Sequence, residues 1–417
     1  MIAEEFTENT SVKKLIAAGR PQIEDKEFSD IIDGHNHQYV DLVMEGGGIL
    51  GIALLGFTYA LEEFGIRFLG IGGTSAGSIN ALLLAGLGTR DEAKSVKAIG
   101  ILANLDLYSF VDGDDDAKDF IDALVEDAGT IRLGLKFLQV IDNFEKKLGL
   151  NPGKVFLHWL SNVLADHGIT TTGELITLMN KVPHGFGHRN DAVQLTEEQQ
   201  NAYLAIIAAE ITTETKVEFP KMAHLFWEDV GNVSPTLYAR ASMSIPFFFH
   251  PFKVSNIPNS ATHKVEWEKP ELANYGGAIP QTCTFIDGGI MSNFPIDVFH
   301  IPNSVPNAPT FGVKLGKDRH EPQGVTSPFE LAIAIFNSAR HTLDYDFIKR
   351  NPDYRHLVST IDTKNHNWIN FRLAEEANID LFVEGVRCAT EFLKRFQWDK
   401  YKHVREDLAK AFRTEAS

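Results

Sequence analysis

Between Tyr39 and Ala85 the chain twice repeats one local pattern: an apolar run, a glycine-rich turn, then a second apolar run of helical length. The first turn is Gly46-Gly47-Gly48-Ile49-Leu50-Gly51, entered from Tyr39-Val40-Asp41-Leu42-Val43-Met44. The second is Gly73-Thr74-Ser75-Ala76-Gly77, entered from Arg67-Phe68-Leu69-Gly70-Ile71. Both read as strand, tight turn, helix, with helices expected over residues 52–63 and 76–85. Strands joined through helices run parallel, so the pattern predicts an α/β fold with a mainly parallel sheet covered by helices.

The second turn has G-x-S-x-G spacing, in which a sharp strand-to-helix turn exposes a serine hydroxyl. Ser75 would sit at a helix N-terminus, where unpaired N–H groups and the dipole favour negative charge. The triple glycine can bring its own N–H groups close because no Cβ blocks the approach. A serine hydroxyl still needs a base. Thr284-Phe285-Ile286 reads as a short strand that ends in Asp287-Gly288-Gly289, and strand ends are where catalytic side chains of open α/β sheets collect.

The 417-residue chain carries a net charge of −17, which excludes nucleic acid as a partner class, since phosphate backbones call for a basic face. It also confines any grip on anionic lipid to apolar contact or a local basic patch. Only Cys283 and Cys388 are present, with no metal-binding spacing, so no cysteine zinc site or disulfide framework is expected and a cytoplasmic setting is. No secretory signal and no apolar run long enough to span a bilayer is visible.

Residues 1–38 read as a loosely attached extension with a helix near residues 12–18, and residues 39–315 as the main domain. A mostly helical insertion at about 91–180 follows the serine helix and is placed to act as a lid. Its acidic run, Asp112-Gly113-Asp114-Asp115-Asp116, fails the calcium-loop spacing and reads as a helix-cap loop. Strands are expected at residues 203–209 and 216–219 and a helix at 236–241, with Arg240 either simply exposed on it or substituting as a phosphate contact. Phe247, Phe248 and Phe249 are candidates for an acyl channel or for core packing. Residues 316–417 read as a helical segment packed on the core through stripes such as Leu331, Ala334, Ile335 and Leu381, Val386, Phe392.

The order of these motifs resembles the patatin-like phospholipase family, whose members carry G-G-G-x-x-G, then G-x-S-x-G, then D-G-[AG]. Gly46–Gly51, Gly73–Gly77 and Asp287–Gly289 match them one for one. Ala241-Ser242-Met243-Ser244-Ile245-Pro246 is similar to the family's segment ahead of the aspartate, and Asn367-Trp368-Ile369-Asn370-Phe371 is similar to bacterial members. The resemblance implies a three-layer α/β/α sandwich and a Ser75–Asp287 dyad without histidine. It implies an oxyanion hole from the amides of Gly46, Gly47, Gly48 and Ile49, with Gly51, Gly73, Gly77, Gly288 and Gly289 shaping the turns. The implied substrate is a phospholipid or lysophospholipid, met in transient contact with a membrane surface, with no cofactor and no metal. Many relatives place Arg or Lys where this chain has Leu50, which removes one basis for phosphate preference.

Two other readings stand beside this one. An α/β-hydrolase triad would recruit a histidine after Asp287, with His300, His320 and His341 available. Gly46, Gly48 and Gly51 also spell G-x-G-x-x-G, the fingerprint of an NAD-dependent oxidoreductase. That fingerprint wants an acid about 20 residues on, at the end of a second strand. Glu62 and Glu63 instead close the first helix, and Ser75 goes unexplained.

Overall fold

The computed structural model describes residues 1–119, 147–316, 325, 331, 334–335, 337–339, 347–364, 366 and 372–415. His320, His341 and residues 367–371 lie outside them, as does part of the insertion.

In chain order, α1 (Ala3–Thr7) and α2 (Thr10–Ile23) precede β1 (Gln38–Met44), α3 (Gly51–Glu63), β2 (Ile66–Thr74) and α4 (Ala76–Gly86). The insertion contributes α5 (Ser95–Ala103), α6 (Lys154–Ala165) and α7 (Thr172–Met179). The sheet resumes with β3 (Tyr203–Glu210) and β4 (Thr215–Phe219), followed by α8 (Thr236–Ser242), β5 (Phe252–Ser255) and β6 (Thr282–Asp287). Last come β7 (Thr310–Leu315), β8 (Val358–Ile361), α9 (Glu375–Arg395) and α10 (Trp398–Glu415).

Strands β8, β7, β1, β2 and β3 are parallel neighbours in that order. Strand β6 pairs antiparallel with β3, and β5 pairs antiparallel with β6. Successive residues of β2 and β3 are buried with little alternation, so the central sheet is covered on both faces, the mark of a three-layer α/β arrangement. On one side, α3 packs against α9, so closely that a Cβ on Gly56 would lie 2.1 Å from the Phe382 carbonyl oxygen.

The N-terminal residues are not loosely attached. Val12, Ile16, Gly19 and Ile23 of α2 are buried at helical spacing, and Phe6 of α1 meets Phe382 edge-on at 5.3 Å. The two C-terminal stripes differ. Leu381, Val386 and Phe392 are buried, whereas Leu331 and Ile335 are exposed.

The acidic run caps a helix, as its spacing suggested. Asp112 accepts from the amides of Gly153, Lys154 and Val155 at the start of α6, at 2.9, 2.7 and 3.1 Å. Arg240 is a correction: it is buried, not exposed, and donates to Ser244 Oγ, Pro152 O and His250 O. Burial brings its guanidinium down to about 10, and its partners leave it no role as a surface phosphate contact.

Candidate active site

Strands β2 and β6 approach the site from opposite directions along one edge of β3. Thr74, the last residue of β2, pairs with Ile207, and Asp287, the last residue of β6, pairs with Ala208. Strand β4 pairs along Ile206–Glu210, so it occupies the other edge. The strand that leads to Ser75 and the strand that ends in Asp287 therefore meet head-on, which brings the two residues to the same place. Asp287 does stand at a strand end, but of an antiparallel strand stopped short rather than one of the parallel set.

Gly288 continues past this junction under tight constraint. A Cβ there would lie 2.1 Å from Ile207 O and 3.0 Å from Thr74 Cγ2. The first glycine turn closes the third side, since a Cβ on Gly46 would lie 3.1 Å from Ser75 Cβ. Helix α4 leaves against β1 with equal economy: a Cβ on Gly77 would lie 2.2 Å from Met44 O, and one on Gly73 would lie 2.4 Å from Gly77. The three motifs are thus in contact.

Ser75 adopts φ 52° and ψ −119°, a left-handed conformation that a non-glycine residue holds at a cost of about 1–3 kcal/mol. Surrounding hydrogen bonds enforce it. The Ser75 amide donates to Ser242 Oγ at 2.9 Å, and Ser242 Oγ donates to Ile207 O at 2.6 Å. The Ser75 carbonyl accepts from the Ser78 hydroxyl at 2.6 Å. With its backbone so held at the head of α4, the side chain does not cap the helix.

Asp287 is 2% exposed, and Gly289 N donates to its Oδ1 at 2.8 Å. Its own amide donates to Ser244 O at 2.8 Å. The segment Ser242–Ser244 therefore ties down both members of the pair. Asn293, which no sequence motif singled out, is the third anchor. Its Nδ2 donates to Gly46 O at 3.1 Å and to Glu45 Oε1 at 3.2 Å, and its carbonyl accepts from Gly46 N at 3.0 Å.

That last bond bears on one expectation. The Gly46 N–H, expected among the oxyanion donors, here donates to the Asn293 backbone carbonyl. Gly47, Gly48 and Ile49 follow at the start of a short 3₁₀ turn (Gly48–Leu50), where leading N–H groups lack intrahelical acceptors. Gly48 has φ 55°, which favours glycine, and a Cβ on Gly47 would lie 2.4 Å from Leu315 Cδ1.

An apolar cleft leads away from Gly48, Ile49 and Ala76. Ile52 and Ile79 form one part of its wall, and Leu102, Leu105, Phe110 and Trp159 of the insertion form another. Met1 and Phe6 line it too. The phenylalanine triplet is not part of it: Phe249 is buried, and Phe247–Phe249 pairs with Gly149–Asn151 in a separate small sheet. His300 is engaged elsewhere, its Nδ1 lying 2.6 Å from Tyr354 Oη, and burial lowers its basicity. Glu62, the acid that a dinucleotide reading would need, instead accepts the amides of Lys94 and Ser95.

Residues 42–300 match the family model of the patatin-like phospholipases. The chain belongs to the patatin-like phospholipase family. A patatin-like membership accounts for all three motifs at the β2–β6 junction. Among curated proteins, the chain is 27% identical over 362 residues to the uncharacterized protein YqhO of Bacillus subtilis, covering 86% of this chain and 99% of that one. Among solved structures it is similar to VipD from Legionella pneumophila, at 15% identity and a TM-score of 0.40 over 88% of this chain and 70% of that one. It is also similar to full-length ExoU from Pseudomonas aeruginosa, at 15% identity and a TM-score of 0.36, over 88% of this chain and 52% of that one. No helix of the described residues is long and apolar enough to cross a membrane.

Proposed function

We propose that this patatin-like protein is a serine-dependent lipid acyl hydrolase of the phospholipase A or lysophospholipase type. The observation that carries this reading is the head-on meeting of β2 and β6, which puts Ser75 and Asp287 together beside the glycine turn. In the proposed reaction Asp287 takes the Ser75 hydroxyl proton as Oγ attacks the ester carbonyl. The developing oxyanion is received by the amides of Gly47, Gly48 and Ile49 and by the start of α4. Asp287 then returns the proton to the leaving alcohol, and an acyl-enzyme remains. Water, deprotonated by Asp287, then attacks the acyl carbonyl, and Asp287 passes that proton to Ser75 Oγ as the ester bond breaks and the fatty acid leaves.

An aspartate near its ordinary pKa of about 3.9 is a weak base at neutral pH, so the burial of Asp287 is part of the proposal. The apolar cleft is the expected seat of the acyl chain, and the insertion that walls it is placed to control entry. The scheme calls for no cofactor. The two cysteines are unpaired, in keeping with a reducing, cytoplasmic setting.

The test is fatty-acid release from a panel of phospholipids, lysophospholipids and short acyl esters. Ser75→Ala and Asp287→Asn should each lower turnover by about 10³-fold or more while leaving the thermal melt near that of the parent. Full activity in Ser75→Ala would remove the nucleophile and the mechanism with it.

A further inference from the structure

A second cavity lies where the C-terminal helices meet, and it shares no lining residue with the apolar cleft. Arg355, His356, Arg395 and Lys400 surround it over Phe396 and Tyr401. Three separate elements supply these side chains. Arg355 and His356 end the Pro352–His356 turn, Arg395 ends α9, and Lys400 lies in the first turn of α10.

On a chain of net charge −17, such a convergence with no carboxylate in the lining calls for a reason. Pairing with neighbouring acids does not supply it. Asp353 faces Arg405 at 3.4 Å, and Asp30 and Asp399 face Lys402 at 3.0 and 3.4 Å. Among the described residues Arg355, His356 and Lys400 form no ion pair, and Arg395 donates to Ser359 Oγ at 2.8 Å.

Neutralising a helix end does not supply it either. Cations gather at helix C-termini to meet the dipole, but Lys26 already donates to the carbonyls of Leu393, Lys394 and Phe396 at the end of α9. Lys400 stands against the dipole of its own helix, where a cation is disfavoured unless an anion joins it.

We propose that this pocket binds a phosphate group, carried either by a lipid headgroup or by a soluble phosphate compound. Planar guanidinium forks and a point-charge ammonium are the groups that recognise phosphate oxygens. The proposal stands apart from the acyl-hydrolase reading, because none of its residues belongs to that site.

The experiment uses the full chain and two probes: inorganic phosphate, followed by calorimetry, and vesicles of phosphatidylcholine with or without phosphatidic acid, followed by co-sedimentation. Arg355→Gln/Lys400→Gln is compared with Lys13→Gln/Lys264→Gln, which removes equal charge from other exposed positions, and thermal melts check folding in both. Binding that falls roughly tenfold or more only in Arg355→Gln/Lys400→Gln supports the site. A preference for phosphatidic acid vesicles without phosphate binding then names the lipid source, and binding of inorganic phosphate names the soluble one. No binding of either probe, or equal loss in both double variants, overturns the proposal.

Discussion

The backbone amide of Ser75 is held by the side chain of Ser242, which passes the constraint on to the Ile207 carbonyl of the central strand β3. A hydroxyl on α8 thus links the strained elbow to the strand that also seats Asp287. Ser242→Ala leaves a buried N–H and a buried carbonyl without partners, at a cost of about 1–3 kcal/mol each at most. We expect a lower Tm and a fall in kcat of roughly 10–100-fold with KM little changed, because the acyl cleft is untouched. Unchanged kcat in steady-state assays of Ser242→Ala would show that the elbow holds its shape without this link.

Gly77→Ala should be far more damaging. The new methyl would lie 2.2 Å from Met44 O, a backbone atom that cannot move without shifting β1. We expect little folded protein, or a variant with a strongly lowered melt and no measurable hydrolysis. Circular dichroism and thermal denaturation of the purified variant decide it.

Ile79→Trp should shorten the acyl chains that the protein accepts. Ile79 lines the cleft one turn along α4 from Ser75, so a larger side chain fills space beyond the reacting carbonyl. We expect kcat/KM for long-chain esters to fall on the order of 10–100-fold while short esters stay within about twofold. Equal losses for all chain lengths would place the acyl group elsewhere.

Lys94 gives a pH signature. It is 2% exposed, and burial lowers its pKa to about 8, against a favourable contribution from Glu62. An amine with a lowered folded-state value binds more protons when unfolded, so its burden on stability is full below about 8. That burden fades as pH rises toward the unfolded value of about 10.5. Lys94→Met should therefore raise the melt at pH 7 by up to about 3 kcal/mol, less whatever Glu62 loses, and the gain should shrink at pH 10. Parallel melts of the two proteins across this range check the slope; a gain that grows with pH would contradict it.

The sheet core was readable because glycine punctuates it. Each strand from Tyr39 and Arg67 onward ends in a turn that only small residues can make, and Asp287 is flagged by the glycines behind it. Arg240 was misread because a helix as short as Thr236–Ser242 offers too few turns to tell its inner face from its outer one. Strand β8, only Val358–Ile361, is too brief for alternation to show. Residues 1–23 look polar along the sequence, and only the spacing of Val12, Ile16, Gly19 and Ile23 betrays a buried stripe. Asn293 carries no motif at all, and Ser242 stands in a family-like segment that shows no role for it, since both satisfy backbone groups that become neighbours only on folding.

The collision of β2 and β6 on one edge of β3 also bears on the order in which the protein is made. Ser75 and its elbow leave the ribosome early, with β1 and β2 already able to pair, but the acid arrives only when the chain has been synthesised past Asp287 and β6 has docked from the far side. An unfinished chain would carry the serine without the aspartate proposed to accept its proton. On the proposed mechanism, the chemistry stays switched off until most of the chain has been made.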